Sequence, residues 1–215
     1  MNSIKLLGLM AGVSSVVFAG TSTADLIDVE WEYVDTAQGR VWQIYAAIDA
    51  GGEVDAVYGD GDNALLVETS LGSAFYQHFL GSYAAPMAAL IPLYASLAND
   101  SFVTIGRLTD ADNNMLDIGI DWSDFENNGG TIWTDNGTWF ATPDDAQVHE
   151  VGGRVLIGQF TTDASDGVHG IVNMQGKNAD GSNWNALSVE FDTLPAPGAI
   201  ALLGLAGLAA RRRRK

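Results

Sequence analysis

Cysteine is absent from this 215-residue chain, which excludes disulfide staples and thiol catalysis and leaves stability to packing. Positive charge is nearly as scarce, with ten Lys and Arg against 27 Asp and Glu. Lys5 and Arg211 to Lys215 belong to the two ends, so the body keeps only Arg40, Arg107, Arg154 and Lys177. So acidic a body repels phosphate backbones and excludes nucleic acid as a partner, while divalent cations and cationic matrix components remain compatible with it. Histidine is limited to His78, His149 and His169, none at the i, i+4 spacing of a helical zinc site. A Gly-x-Ser-x-Gly nucleophile elbow and a phosphate-binding glycine loop are missing as well.

What is present first draws attention to the ends. Lys5 precedes an apolar run from Leu6 to Phe18, the pattern of a secretory signal peptide, with cleavage expected after Ala24 or, alternatively, Ala19. At the other end Leu194-Pro195-Ala196-Pro197-Gly198 leads into Ala199 to Ala210, a stretch without a polar side chain, and then into Arg211-Arg212-Arg213-Arg214-Lys215. The prolines fix φ and lack an amide donor, making a hinge. The apolar stretch is near the lower edge of what spans a bilayer, roughly 17 residues. The basic cluster after it is a stop-transfer signal that keeps the C-terminus cytoplasmic. The expected organisation is a signal peptide at 1–24, one secreted domain at 25–193 and a sorting tail at 194–215.

Pro motif, apolar helix and terminal Arg run together resemble the PEP-CTERM sorting signal of Gram-negative bacteria, a tail class also labelled as an ice-binding-protein C-terminal domain. Ala196 stands where that family's Pro-Glu-Pro has Glu. The specific resemblance covers the tail; Asp100 to Gly106 and Asp135 to Asp145 also look like body segments of uncharacterised proteins that carry it. It implies processing by a membrane exosortase and by signal peptidase, transient anchoring by a transmembrane helix, and delivery to the cell surface or extracellular matrix. It implies no activity for the body.

The body shows short alternating runs bounded by turn residues. Trp31 to Asp35 and Val41 to Asp49 flank Gln38-Gly39 as a first hairpin. Further strands are expected at 54–58, 65–69, 102–108, 115–121, 131–133, 139–141, 155–162, 168–174 and 187–192. Asn and Gly pairs between them supply the positive φ of tight turns. This spacing predicts a mainly β domain, an antiparallel β-sandwich or jelly roll. One short helical segment is expected within Tyr83 to Asn99, broken by Pro86 and Pro92.

Four acidic or amide residues, Asp110, Asp112, Asn114 and Asp121, fall at positions one, three, five and twelve of a calcium loop, so calcium is the one cofactor the pattern suggests. Met115 replaces the glycine such a loop needs at position six, and the bland alternative is a hairpin turn between strands 102–108 and 115–121. Asp60-Gly61-Asp62-Asn63 poses the same choice. Most aromatic residues sit in alternating runs as core. Trp122, Trp133 and Trp184 adjoin turn residues instead and are the candidates for stacking on a glycan. Glu30-Trp31-Glu32 is the nearest approach to a hydrolase carboxylate strand and is more simply an outward acidic face. The sequence therefore points to a non-enzymatic surface or matrix protein. A carbohydrate-binding or calcium-dependent adhesive module is the first alternative and a polysaccharide hydrolase or lyase the second.

Overall fold

A computed structural model describes residues 26–194, which are mainly β, built from antiparallel strand pairs with one short α-helix. The signal segment and the sorting motif, Pro195 to Gly198 with Arg211 to Lys215, lie outside the described residues. The hairpin forms as expected. β1 (Leu26–Thr36) and β2 (Gly39–Ile48) pair with Trp31 opposite Ile44 and Thr36 opposite Gly39. Gly39 closes the turn at φ +132°, where an added Cβ would lie 2.1 Å from the Thr162 carbonyl oxygen.

β2 also pairs with β9 (Arg154–Thr162), and β9 with the two-residue β5 (Phe102–Val103), giving a four-stranded sheet in the order β1-β2-β9-β5. The larger sheet is organised on β10 (Val168–Lys177). One edge of β10 carries β11 (Asn183–Asp192). Its other edge carries two short strands end to end, β3 (Ala56–Gly59) opposite Asn173 to Gln175 and β4 (Leu65–Thr69) opposite Val168 to Ile171. Beyond β3 lie β8 (Gly137–Phe140) and then β6 (Leu116–Ile118); beyond β4 lies β7 (Ile132–Thr134).

The turn between β3 and β4 is Asp60 to Asn63. Asp60 Oδ1 accepts from the amides of Asp62 and Asn63 and from the Asn63 side chain, so this acidic run is a turn staple. Where the two strands part, the buried Asn173 donates to the carbonyls of Tyr58 and Asn63 and so ties the end of β3 to the turn that follows it. Alternation then decides the core: Trp42, Ile44 and Ile157 of the smaller sheet meet Val57, Leu65, Trp139 and Met174 of the larger in one buried cluster.

One sequence expectation is met in part and one fails. The helical segment within 83–99 is short and broken, as expected, but it is not α: it makes successive turns, with Leu90 N–H donating to the Met87 carbonyl and Leu93 N–H to Leu90, and ends in a 3-10 helix at Ala95–Asn99. Pro86 and Pro92 lack the amides that an uninterrupted helix would use. Strands 102–108 and 115–121 are also not a hairpin. The first stops at Val103 and pairs with β9, whereas β6 pairs with β8 in the other sheet. Gly106 helps end the first, since at φ +71° its Cα lies so close to Gln147 that a Cβ would stand 2.0 Å from that carbonyl oxygen.

The single α-helix among the described residues, α1 (Ser123–Asn128), is not an expectation of the sequence. Asp121 Oδ1 accepts from the Ser123 amide at its start, and Gly129 at φ +64° ends it by donating to the Phe125 carbonyl. A Cβ on Gly129 would lie 2.0 Å from the Phe75 carbonyl oxygen. Gly129→Ala is therefore expected to destabilise the fold by about 2 kcal/mol or more, from strain and clash together. Urea unfolding should show a lower midpoint with an unchanged slope; an unaltered midpoint would refute the assigned packing.

Candidate functional site

Just before β3 the chain runs Glu53-Val54-Asp55 beside β10. Glu53 N–H donates to the Lys177 carbonyl and Asp55 N–H to that of Gln175. Gln175 is already opposite Ala56 in the register, so two residues of one strand face one of the other, the arrangement of a β-bulge. Val54 stays in the core and the two acids are turned to the other side. Gly176 makes this approach possible, because a Cβ there would sit 1.8 Å from the Glu53 carbonyl oxygen.

Two adjoining hollows open around this bulge, with volumes of about 380 and 470 Å³, sharing Asp55, Pro143 and Gln175 as common lining. Tyr58, Thr138 and Phe140 wall the first. Lys177, Asn183, Trp184 and Asn185 wall the second. Ala56, Phe140 and Gln175 stand in register across β3, β8 and β10, opposite in phase to the core residues Val57, Trp139 and Met174, so the groove lies on the outer face of the larger sheet.

The electrostatics centre on two carboxyls. Glu53 Oε2 accepts from the Asp144 amide at 3.0 Å, and Glu53 Oε1 lies 3.8 Å from His149 Nδ1. Asp55 is only 7% exposed, and its Oδ1 has no hydrogen-bond partner among the described residues. Burial first, and then the adjacent, hydrogen-bonding Glu53, push the Asp55 carboxyl up to about 6. Lys177 opposes this from nearby but is itself paired with Asp144 at 3.0 Å, which raises the lysine and lowers the aspartate. A groove that offers the rings of Tyr58 and Phe140, the side-chain amides of Gln175, Asn183 and Asn185 and a buried pair of acids can hold a polar, ring-shaped ligand by stacking and hydrogen bonds.

The residues singled out from sequence are placed differently. Asp110 Oδ1 accepts from the Ala88 amide, Asp112 occupies a left-handed turn at φ 54°, Asn114 donates to Asp145, and Asp121 serves α1. The structure does not gather the four, and among the described residues no three His, Asp or Glu side chains converge to hold a metal ion. Trp122 is 8% exposed, stacks on Tyr83 at 4.5 Å and donates to Asp117. The same aspartate accepts from the Tyr83 hydroxyl at 2.6 Å and helps push it up to about 12. Trp184 is 3% exposed and donates to the Glu53 carbonyl. Both are core residues, so neither offers a free ring face. Trp133 is 55% exposed and stands in register with Leu66 and Ile171 on the outer face that carries the groove.

Glu30 and Glu32 are both paired with Arg154, whose guanidinium also lies 4.0 Å over the Tyr45 ring, an acidic strand face clamped by a cation. Glu53 and Asp55 escape a reading of the sequence because an acid-apolar-acid triplet occurs at Glu30-Trp31-Glu32 too, and only the bulge distinguishes them. No family model, no curated protein and no solved structure matches this chain, so the groove's own residues carry its interpretation.

Proposed function

We propose that the body is a non-catalytic β-sandwich module that binds an extracellular polysaccharide in the groove on the outer face of its larger sheet. The chain is exported, held at the membrane through residues 194–215, processed by signal peptidase and an exosortase-type enzyme, and delivered to the cell surface or matrix. The observation that carries the binding role is the groove's lining: Tyr58 and Phe140 beside Gln175, Asn183 and Asn185, a pairing of ring faces with amide donors and acceptors that suits sugar rings and hydroxyls. Closeness of the two acids supports binding over cleavage. Glu53 and Asp55 share one bulge, with Glu53 helping to hold the Asp55 carboxyl up, whereas glycoside hydrolysis sets two carboxyls on opposite sides of the scissile bond.

Affinity electrophoresis of the full chain through gels cast with soluble polysaccharides tests this. Retardation by at least one polymer is expected. Tyr58→Ala or Gln175→Ala should weaken it about tenfold, the equivalent of about 1.4 kcal/mol. Retardation unchanged in both variants would move the binding site elsewhere, and no retardation by any polymer would remove the reading.

A further inference from the structure

Resting on that reading, we propose that the polysaccharide unit seated in the groove is an amino sugar, whose protonated amine docks on the paired carboxyls of Glu53 and Asp55. The lining is rich in acceptors where the two acids meet. Asp55 is more than nine-tenths buried, borders both hollows, and has an oxygen without a partner among the described residues. A buried, ionised carboxylate in this state requires a donor. A proton shared with Glu53 supplies one in acid, and above that range the donor has to come from outside.

An ammonium group suits this pair by chemistry. It carries a full positive charge and three N–H donors, and it is satisfied by carboxylates and amide oxygens without the larger oxygen cage that a calcium ion takes. Among the described residues no three carboxylates or histidines converge there to build such a cage. The other titratable groups facing the pair are His149, 3.8 Å from Glu53, and Lys177, whose charge is matched by Asp144. Negative charge therefore prevails around the pair. Tyr58, Phe140 and Pro143 supply the apolar wall against which a sugar ring can lie.

The test is titration calorimetry of the full chain at neutral pH with oligomers of β-1,4-linked glucosamine and with the same oligomers fully N-acetylated. The deacetylated oligomer is expected to bind about tenfold more tightly or better. Asp55→Asn should erase the preference, so that the two oligomers bind with equal affinity. Glu190→Gln, at an exposed acid on β11, should leave the preference intact. Once pH is taken well below about 6, where Asp55 holds its proton and the amine is fully charged, affinity for the amine should fall.

Equal or tighter binding of the acetylated oligomer would overturn the proposal and leave the glycan reading standing. So would a preference that survives in Asp55→Asn, since attraction of a polycation to an acidic surface would then explain it. Failure of both oligomers, with other polysaccharides still bound, would overturn the amino-sugar assignment alone. Failure with every polysaccharide would remove both.

Discussion

Asp100→Asn is expected to flatten the pH dependence of stability between about pH 4 and 7. Asp100 is fully buried and accepts from the His78 amide at 2.6 Å. Burial dominates over its backbone hydrogen bonds, and with the Glu126 charge nearby the carboxyl is pushed up to about 7 from its ordinary value of 3.8. The sign follows from where the proton sits. Below about pH 4 both folded and unfolded chains hold it, and nothing is lost. Between about 4 and 7 the unfolded chain releases it while the folded chain keeps it, so stability falls as pH rises; above 7 the loss is constant. The amide that replaces the carboxyl is neutral throughout. The stability of the variant relative to the natural chain should therefore climb by about 3–4 kcal/mol from pH 4 to pH 8, a relative gain of roughly 8–15 °C in the unfolding midpoint.

The readout is the slope, because the amide's N–H₂ also faces backbone donors and adds an offset that does not depend on pH. Carboxyls lowered by hydrogen bonds, such as Asp60, Asp121 and Asp166, pull total stability the other way, being lost as pH falls. They are common to both chains and cancel in the difference. Parallel midpoint curves for the two chains would show that Asp100 ionises normally in the fold.

Legibility of the sequence follows the range of the interactions. β1 and β2 are visible because alternation and a tight turn are local, and β4 is placed to the residue because Leu65 to Thr69 alternates between defined turns. The pairing of Phe102 with Gln159 in one sheet and Leu116 with Phe140 in the other is invisible, since a run that leaves its sheet after Gly106 has the same local pattern as one that turns back as a hairpin. α1 is six residues long and hides inside an Asp and Asn stretch whose composition favours turns equally. The groove depends on a bulge opposite Gln175, a long-range register event that no local pattern announces.

Tryptophan marks the boundary most sharply, because flanking turn residues give Trp122, Trp133 and Trp184 one signature and the fold gives them two different roles. Trp184→Ala is expected to lower stability by about 3–5 kcal/mol, since it empties a buried ring's volume and removes the indole donor from the Glu53 carbonyl. For a domain of this size that is a drop of roughly 10 °C or more in the unfolding midpoint. Trp133→Ala removes a ring already more than half in solvent and should change stability by less than about 0.5 kcal/mol. Measured together by thermal unfolding and by gel retardation in polysaccharide, the two variants separate packing from recognition. If Trp184→Ala unfolded at the natural temperature and lost only binding, its ring would have to be a ligand platform and the assigned core would be wrong. With the expected outcome, Trp184 serves the groove from beneath, holding the Glu53 backbone against Gly176 so that the acid pair above it keeps its place.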